Sequence, residues 1–250
     1  MQFQRGNIGL FFRGDPTILG WWVLDTQALD YSGQGNHGTY TYVSPYPDYS
    51  RIVPYFNGSS STTKILDSSS LDSVTNKITV MAWVKRLGDQ ANNALSQCIM
   101  IKNDGATAVG YYLTLGNSTR GLHKVAIYQY GTTPAGYHVS NSDIPDNAWT
   151  LIGYTYDGSA VNIYINGKID KTVAVTGNIT LGTNIPLWIG GLTGTNSAYY
   201  NGLIKDAAVF SRALSPQEIS AYYKWATGVA KKNYTFESIE LPQPNFFPFF

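Results

Sequence analysis

The sequence predicts an all-β protein, a two-sheet antiparallel jelly-roll β-sandwich with one short C-terminal helix. Three observations predict it. Apolar and polar residues alternate with period two through much of the chain, as half-buried strands require. Asp157-Gly158 and Asn166-Gly167 stand between such runs, where hairpins turn. Charged residues are only 13% of the chain, about half the usual ~25%. Tyr, Gly, Ser and Thr take their place, which suits short strands and tight turns better than long helices.

In chain order, residues 1–20 carry the pair Phe11-Phe12 and then Pro16, and read as an N-terminal arm. Residues 21–228 read as one sandwich domain, within the size range of such domains. In Ile78–Lys85, Ile78, Val80, Ala82 and Val84 share one face while Met81 and Trp83 take the other. Apolar residues on both faces predict a strand covered on both sides. Residues 149–175 read as a three-strand antiparallel meander whose two dipeptide turns favour the left-handed conformation of type I′ hairpins. Ser215-Pro216-Gln217-Glu218 is a capping box with Pro at the first helical position. Ile219, Tyr222 and Tyr223 follow at helical spacing, and Gly228 suits the end of that helix. Residues 229–250 form an aromatic, proline-rich tail, whose prolines exclude a central strand.

Net charge is +1, with no block of like charges, so nucleic acid is not an expected partner. No apolar run approaches the ~18–20 residues that span a bilayer, so no membrane partner is expected either. The N-terminus lacks the layout of a secretory signal. The single Cys98 is expected to be a buried small hydrophobe.

The ordered segments Trp22–Asp25, Asp30–Thr39, Phe56–Ser60, Ile78–Lys85, Trp149–Lys168, Trp188–Gly191 and Gly202–Ile219 resemble the laminin G-like group of concanavalin A-like jelly rolls, the lectin/glucanase superfamily, in its bacterial and phage form. The resemblance implies the fold. It does not fix the function, since that fold hosts lectins, adhesion modules, hydrolases and virion parts.

Hydrolases of this fold need two carboxylates about 5 Å apart, set on one inner strand as Glu-x-Asp-x-x-Glu. Here the glutamates are Glu218, Glu237 and Glu240, and none lies in a strand-like stretch. His37, His123 and His138 have no Cys or acid at metal-ligand spacing. The expectation is a protein that is not an enzyme.

The resemblance also implies a calcium loop, with Asp25, Asp30, Asn36 and Asp206 as its ligands. Lys205 stands where the family usually has an aspartate. The alternative is that Asp30 and Asn36 cap a tight turn. For sugar recognition the candidate rings are Tyr40, Tyr42, Tyr46, Tyr199 and Tyr200, while Tyr128 and Tyr130 share a face of another predicted strand.

Phe246, Phe247, Phe249 and Phe250, and with them Phe11 and Phe12, either fold back on the sandwich or dock on a partner. Docking leads to a virion-surface protein, a capsid decoration or tail-associated component that contacts other virion proteins or its own copies and binds surface glycans. The rival is an extracellular bacterial carbohydrate-binding or adhesion module. A glycoside hydrolase with atypical acids is the weaker alternative.

Overall fold

The computed structural model describes residues 8–49, 51–92, 94–194 and 197–229. The short helix α1 (Ile8–Phe11) leads to β1 (Ile18–Trp22), β2 (Gly38–Thr41), β3 (Ser44–Asp48), β4 (Arg51–Asn57) and β5 (Thr62–Ile65). Then come β6 (Ile78–Arg86), β7 (Gln97–Lys102), β8 (Tyr111–Leu115), β9 (Lys124–Gln129), β10 (Thr132–Thr133) and β11 (His138–Asp143). The predicted meander is β12 (Thr150–Tyr156), β13 (Ala160–Ile165) and β14 (Lys168–Ala174). After it run β15 (Thr176–Gly177), β16 (Leu187–Ile189), β17 (Gly191–Leu192), β18 (Ala198–Tyr199), β19 (Asn201–Phe210) and helix α2 (Pro216–Thr227).

Two antiparallel sheets face each other. The eight-stranded sheet runs β14-β13-β12-β6-β19-β4-β3, with β1 also on β19. The seven-stranded sheet runs β11-β9-β8-β7-β16-β5-β2. Strand β19 is long enough to hold β4 along its first residues and β1 along its last. A bulge between Lys205 and Ala208 separates the two halves, with Asp206 at φ +48°.

Between the sheets lie Phe56, Val80, Val84, Ile127, Ile152 and Ile163, all fully buried. Each large apolar side chain so buried contributes about 1.5–3 kcal/mol. The other face of β6 presents Met81 and Trp83 to a second apolar layer under α2, so this strand is covered on both sides, as its sequence predicts. Trp83 Nε1 donates to Tyr222 Oη at 2.7 Å and locks that helix down.

The meander has the expected order and pairing. Its second turn has both Asn166 (φ +50°) and Gly167 (φ +77°) left-handed. The first differs from the expectation. Only Gly158 is left-handed there, because the Asp157 carboxylate takes the Ser159 and Ala160 amides itself.

The boundary expected at residue 20 falls inside a strand. β1 pairs with β19 from Ile18 onward, and Ile8 and Phe12 join the apolar layer beneath α2. Residues 8–20 are therefore part of the packed body. No helix among the described residues is long and apolar enough to cross a membrane.

Candidate functional site

The two outer faces of the sandwich differ. That of the eight-stranded sheet is roofed by α1 and α2. On the seven-stranded sheet, the outward residues Cys98, Ile101 and Trp188 pack with Leu192 and Ala198 of the β17–β18 hairpin and with Tyr112. Beyond that hairpin no further apolar layer covers this face among the described residues.

Strand register decides what stands on it. Trp188 pairs with Ile101, Ile101 with Tyr112, and Tyr112 with Tyr128. Side chains directly opposite each other in an antiparallel pair share a face. One row therefore runs across β16, β7, β8 and β9. Tyr130, two residues on from Tyr128, joins the same face, and Tyr137, just before β11, extends the row.

The four tyrosines form one cluster of half-buried rings. Ring centroids are 5.8 Å apart for Tyr112–Tyr128, 4.7 Å for Tyr128–Tyr130, 5.1 Å for Tyr128–Tyr137 and 5.9 Å for Tyr112–Tyr130. Arg120 lies over the Tyr137 ring, its guanidinium carbon 4.0 Å from the centroid. Burial pushes the hydroxyl pKa of Tyr112, Tyr128 and Tyr137 upward, so these groups stay protonated donors at neutral pH. The result is an aromatic floor, one apolar wall at the hairpin and a cation on the far side.

The tyrosines singled out from sequence do not assemble this way. Tyr200 is fully buried. Tyr40 is half-buried and donates to the Asp25 and Gln27 carbonyls. Tyr199 is half-buried on β18, its amide donating to Gln90. Tyr42 and Tyr46 are exposed, on opposite sides of Val43 at the start of the edge strand β3. Tyr128 and Tyr130 do share a face, as expected. Tyr112 and Tyr137 escape sequence reading because only the pairing of β8 with β9 and of β9 with β11 brings them alongside.

The four expected calcium ligands do not fit the ion. Ca²⁺ needs six to eight free oxygen donors. Both oxygens of Asp30 already accept hydrogen bonds, from the amides of Trp21, Ser32 and Asn36 and from the Ser32 hydroxyl, at 2.8–2.9 Å. The Asn36 amide group is committed to the Leu19 carbonyl and the Ser70 hydroxyl, and Asp25 caps the Gln27 amide. Asp206 is buried 3.6 Å from Arg51. Among the described residues no group of three or more acidic, His or Cys side chains converges. The hydrogen bonds at Asp30 are those of a capped turn.

Asp206 belongs to a different constellation. Lys205 lies 4.0 Å from the centroid of the Trp149 ring, Trp149 Nε1 donates to Asp48, and Lys85 pairs with Asp48 at 3.2 Å. Burial pushes the Asp206 carboxyl up to about 7 against the pull of Arg51 and Lys205. Burial likewise lowers the Lys205 ammonium to about 8, against the pull of Asp206.

Carboxylates that approach one another are bridged by cations. Lys102 holds Asp67 and Asp72 at 2.7 and 2.9 Å, Arg86 holds Asp89 and Asp146, and Arg212 holds Asp15 and Glu218. Hydrogen bonds from Arg212 keep Glu218 down at about 2. A general acid for glycoside cleavage needs the opposite shift.

Phe11 and Phe12, expected to dock on a partner, are used within the chain. Phe12 is buried with its ring 5.1 Å from Phe210, and Phe11 lies 5.5 Å from Trp225. Phe246, Phe247, Phe249 and Phe250 lie outside the described residues.

Against known families, the model described as the concanavalin A-like lectin/glucanases superfamily matches residues 57–220. No curated protein matches the chain. Among solved structures it is similar to domain 4 of AbnA, a GH43 extracellular arabinanase from Geobacillus stearothermophilus, in complex with arabinotriose. Identity is 18%, coverage 83% of this chain and 98% of that one, and the TM-score 0.63. It is also similar to the binding domain of Paraclostridial Mosquitocidal Protein 1, at 14% identity over 84% of this chain and 52% of that one, with a TM-score of 0.62. The binding domain of Botulinum Neurotoxin DC in complex with SialylT gives 12% identity, 84% and 52% coverage, and a TM-score of 0.58. The chain thus spans about half the length of these two toxin domains. At such identities the likenesses speak for the fold.

Proposed function

The chain belongs to the concanavalin A-like lectin/glucanase superfamily, and from that premise we propose that it is a non-catalytic, extracellular carbohydrate-binding module. The observation that carries this reading is the open cluster of Tyr112, Tyr128, Tyr130 and Tyr137 on the outer face of the seven-stranded sheet. A pyranose or furanose ring presents an apolar C–H face, which an aromatic ring covers, and hydroxyls, which the tyrosine Oη atoms can meet. The hairpin wall at Leu192 and Ala198 gives that floor a side. The non-catalytic part is supported by the cations set between Asp67 and Asp72 and between Asp15 and Glu218.

Two similar structures are complexes, the arabinanase domain with arabinotriose and the neurotoxin binding domain with SialylT, which agrees with this reading. The virion-surface expectation rests on aromatic tails. Of these, Phe11 and Phe12 pack on their own sandwich, and the comparisons favour the extracellular module instead.

Titration calorimetry against a panel of neutral and acidic oligosaccharides tests the proposal. Tyr128→Ala is expected to weaken binding at least about tenfold, the scale of one lost stacking contact of ~1–2 kcal/mol. Melting temperature should stay close to native. Binding that survives Tyr128→Ala but is abolished by Tyr42→Ala or Tyr46→Ala would move the site to the β3 edge. Release of reducing ends from any panel member would overturn the non-catalytic reading.

A further inference from the structure

We infer that the ligand of the tyrosine platform is an acidic oligosaccharide, and that Arg120 is the residue that receives its carboxylate. The inference rests on the platform being the binding site.

Arg51, Arg86 and Arg212 are each held by an aspartate or glutamate of the chain. Arg120 is not. Among the described residues no carboxylate stands within ion-pair distance of it, and its partner is the face of Tyr137. The guanidinium meets the ring through its carbon, which leaves its N–H fork for a ligand. That fork matches a carboxylate in bidentate fashion.

The position is built. Asn117, itself buried, accepts from the amides of Thr119 and Arg120 and donates to the Ala94 carbonyl at 2.8 Å. Gly121 closes the same turn by donating to the Asn117 carbonyl. The backbone beneath Arg120 is therefore fixed, and Tyr137 fixes the head, so little freedom remains to be lost when an anion arrives. Lys64, 5.4 Å from the centroid of the Trp188 ring on the same sheet, also lacks an acidic partner among the described residues. Arg120 and Lys64 thus stand on this face with no acidic partner among the described residues, whereas Lys85 and Arg51 on the eight-stranded sheet are paired.

A sugar stacked on Tyr128 and Tyr130 with its carboxylate toward Tyr137 meets both features at once. A nucleic acid is disfavoured by the same charges. Each bound phosphate needs its own cation, and the platform supplies one.

The test uses the full chain and pairs of ligands that differ only in charge: oligogalacturonate and its methyl ester, and a sialylated and an unsialylated lactose. Native protein is expected to bind at least one acid about tenfold or more tighter than its neutral twin, an advantage that shrinks as salt is raised. Arg120→Met should erase that ratio by weakening the acid far more than its neutral twin, and Arg120→Lys should restore only part of it. Tyr128→Ala should weaken both members of the pair. Equal affinity for acid and neutral twins, or an unchanged ratio in Arg120→Met, overturns the inference while leaving the platform in place. Failure of every acid in the set overturns it too. Binding unaffected by Tyr128→Ala overturns the platform itself, and tighter binding of a single-stranded oligonucleotide than of any sugar overturns both.

Discussion

At the scale of single residues, Asp206 and Asp30 show how one residue type serves opposite ends. Asp206 is a buried carboxylate with one oxygen unpartnered, held at about pH 7 by burial. Its folded value lies above the ordinary 3.8 of an aspartate, so the folded state binds the proton more tightly and stability falls as pH rises from about 4 to about 7. Asp206→Asn mimics the protonated form and suits the left-handed backbone there. Thermal melts of Asp206→Asn should therefore show a flatter pH profile over that window than the native protein. A profile with the native slope would place the titration elsewhere. Asp30 instead has every oxygen accepting. Asp30→Ala leaves the Trp21 and Asn36 amides without acceptors, a loss of about 3 kcal/mol or more at ~1–3 kcal/mol per group. Because these oxygens are taken, calcium or EDTA should leave the native melting temperature unchanged; a rise on adding calcium would show a ligand set that the geometry does not contain. The family resemblance names the Asp30 loop, but sequence shows only that an aspartate is present and not which amides its fold turns toward it.

At the scale of elements, legibility followed the range of the interactions. Helix α2 was readable because its signals are local: Ser215 Oγ accepts from the Glu218 amide and Glu218 accepts back from Ser215, the reciprocal pair written in four consecutive residues. The second hairpin of the meander was readable for the same reason, at Asn166-Gly167. The tyrosine platform was half-readable. Tyr128 and Tyr130 are neighbours in sequence, but Tyr112 and Tyr137 arrive through strand register, which no short window contains. The salt bridge that ties α2 to the body was not readable either, because Arg212 joins Glu218 to Asp15 at the other end of the chain. That bridge has a pH signature. Glu218 sits at about 2, below the ordinary 4.5 of a glutamate, so its contribution is complete above about pH 4.5 and lost as pH falls through 2. Glu218→Gln should melt earlier than native at neutral pH, with the gap closing toward pH 2. A gap that persists in acid would mean that Glu218 acts by packing rather than by charge.

At the scale of the whole molecule, the division of labour between the two outer faces follows from where the chain ends its strands. Strand β19 runs directly into Arg212 and α2, so the helix is laid back over the eight-stranded sheet, and α1 fills the space beside it. Among the described residues, the seven-stranded sheet receives the β17–β18 hairpin, which the chain places on it between β16 and β19. At Gly190 (φ +74°) the chain turns, and a Cβ there would meet the Phe56 ring at 2.1 Å, so the hairpin folds over Cys98 and Ile101 and stops short of Tyr128. On the proposed reading, the face left without a helical roof among the described residues is the one that binds. Hydrogen exchange with and without a bound oligosaccharide tests that assignment directly. Ligand should slow exchange in the 117–121 turn, at the residues that join β9 to β11 and in the β17–β18 hairpin, the segments that border the platform, whereas α2 and β14 should exchange as before. Protection confined to β3 and β4 would mean that the sandwich binds through its edge, where Tyr46 and Tyr49 stand exposed, and that the open tyrosine face serves some contact other than a sugar.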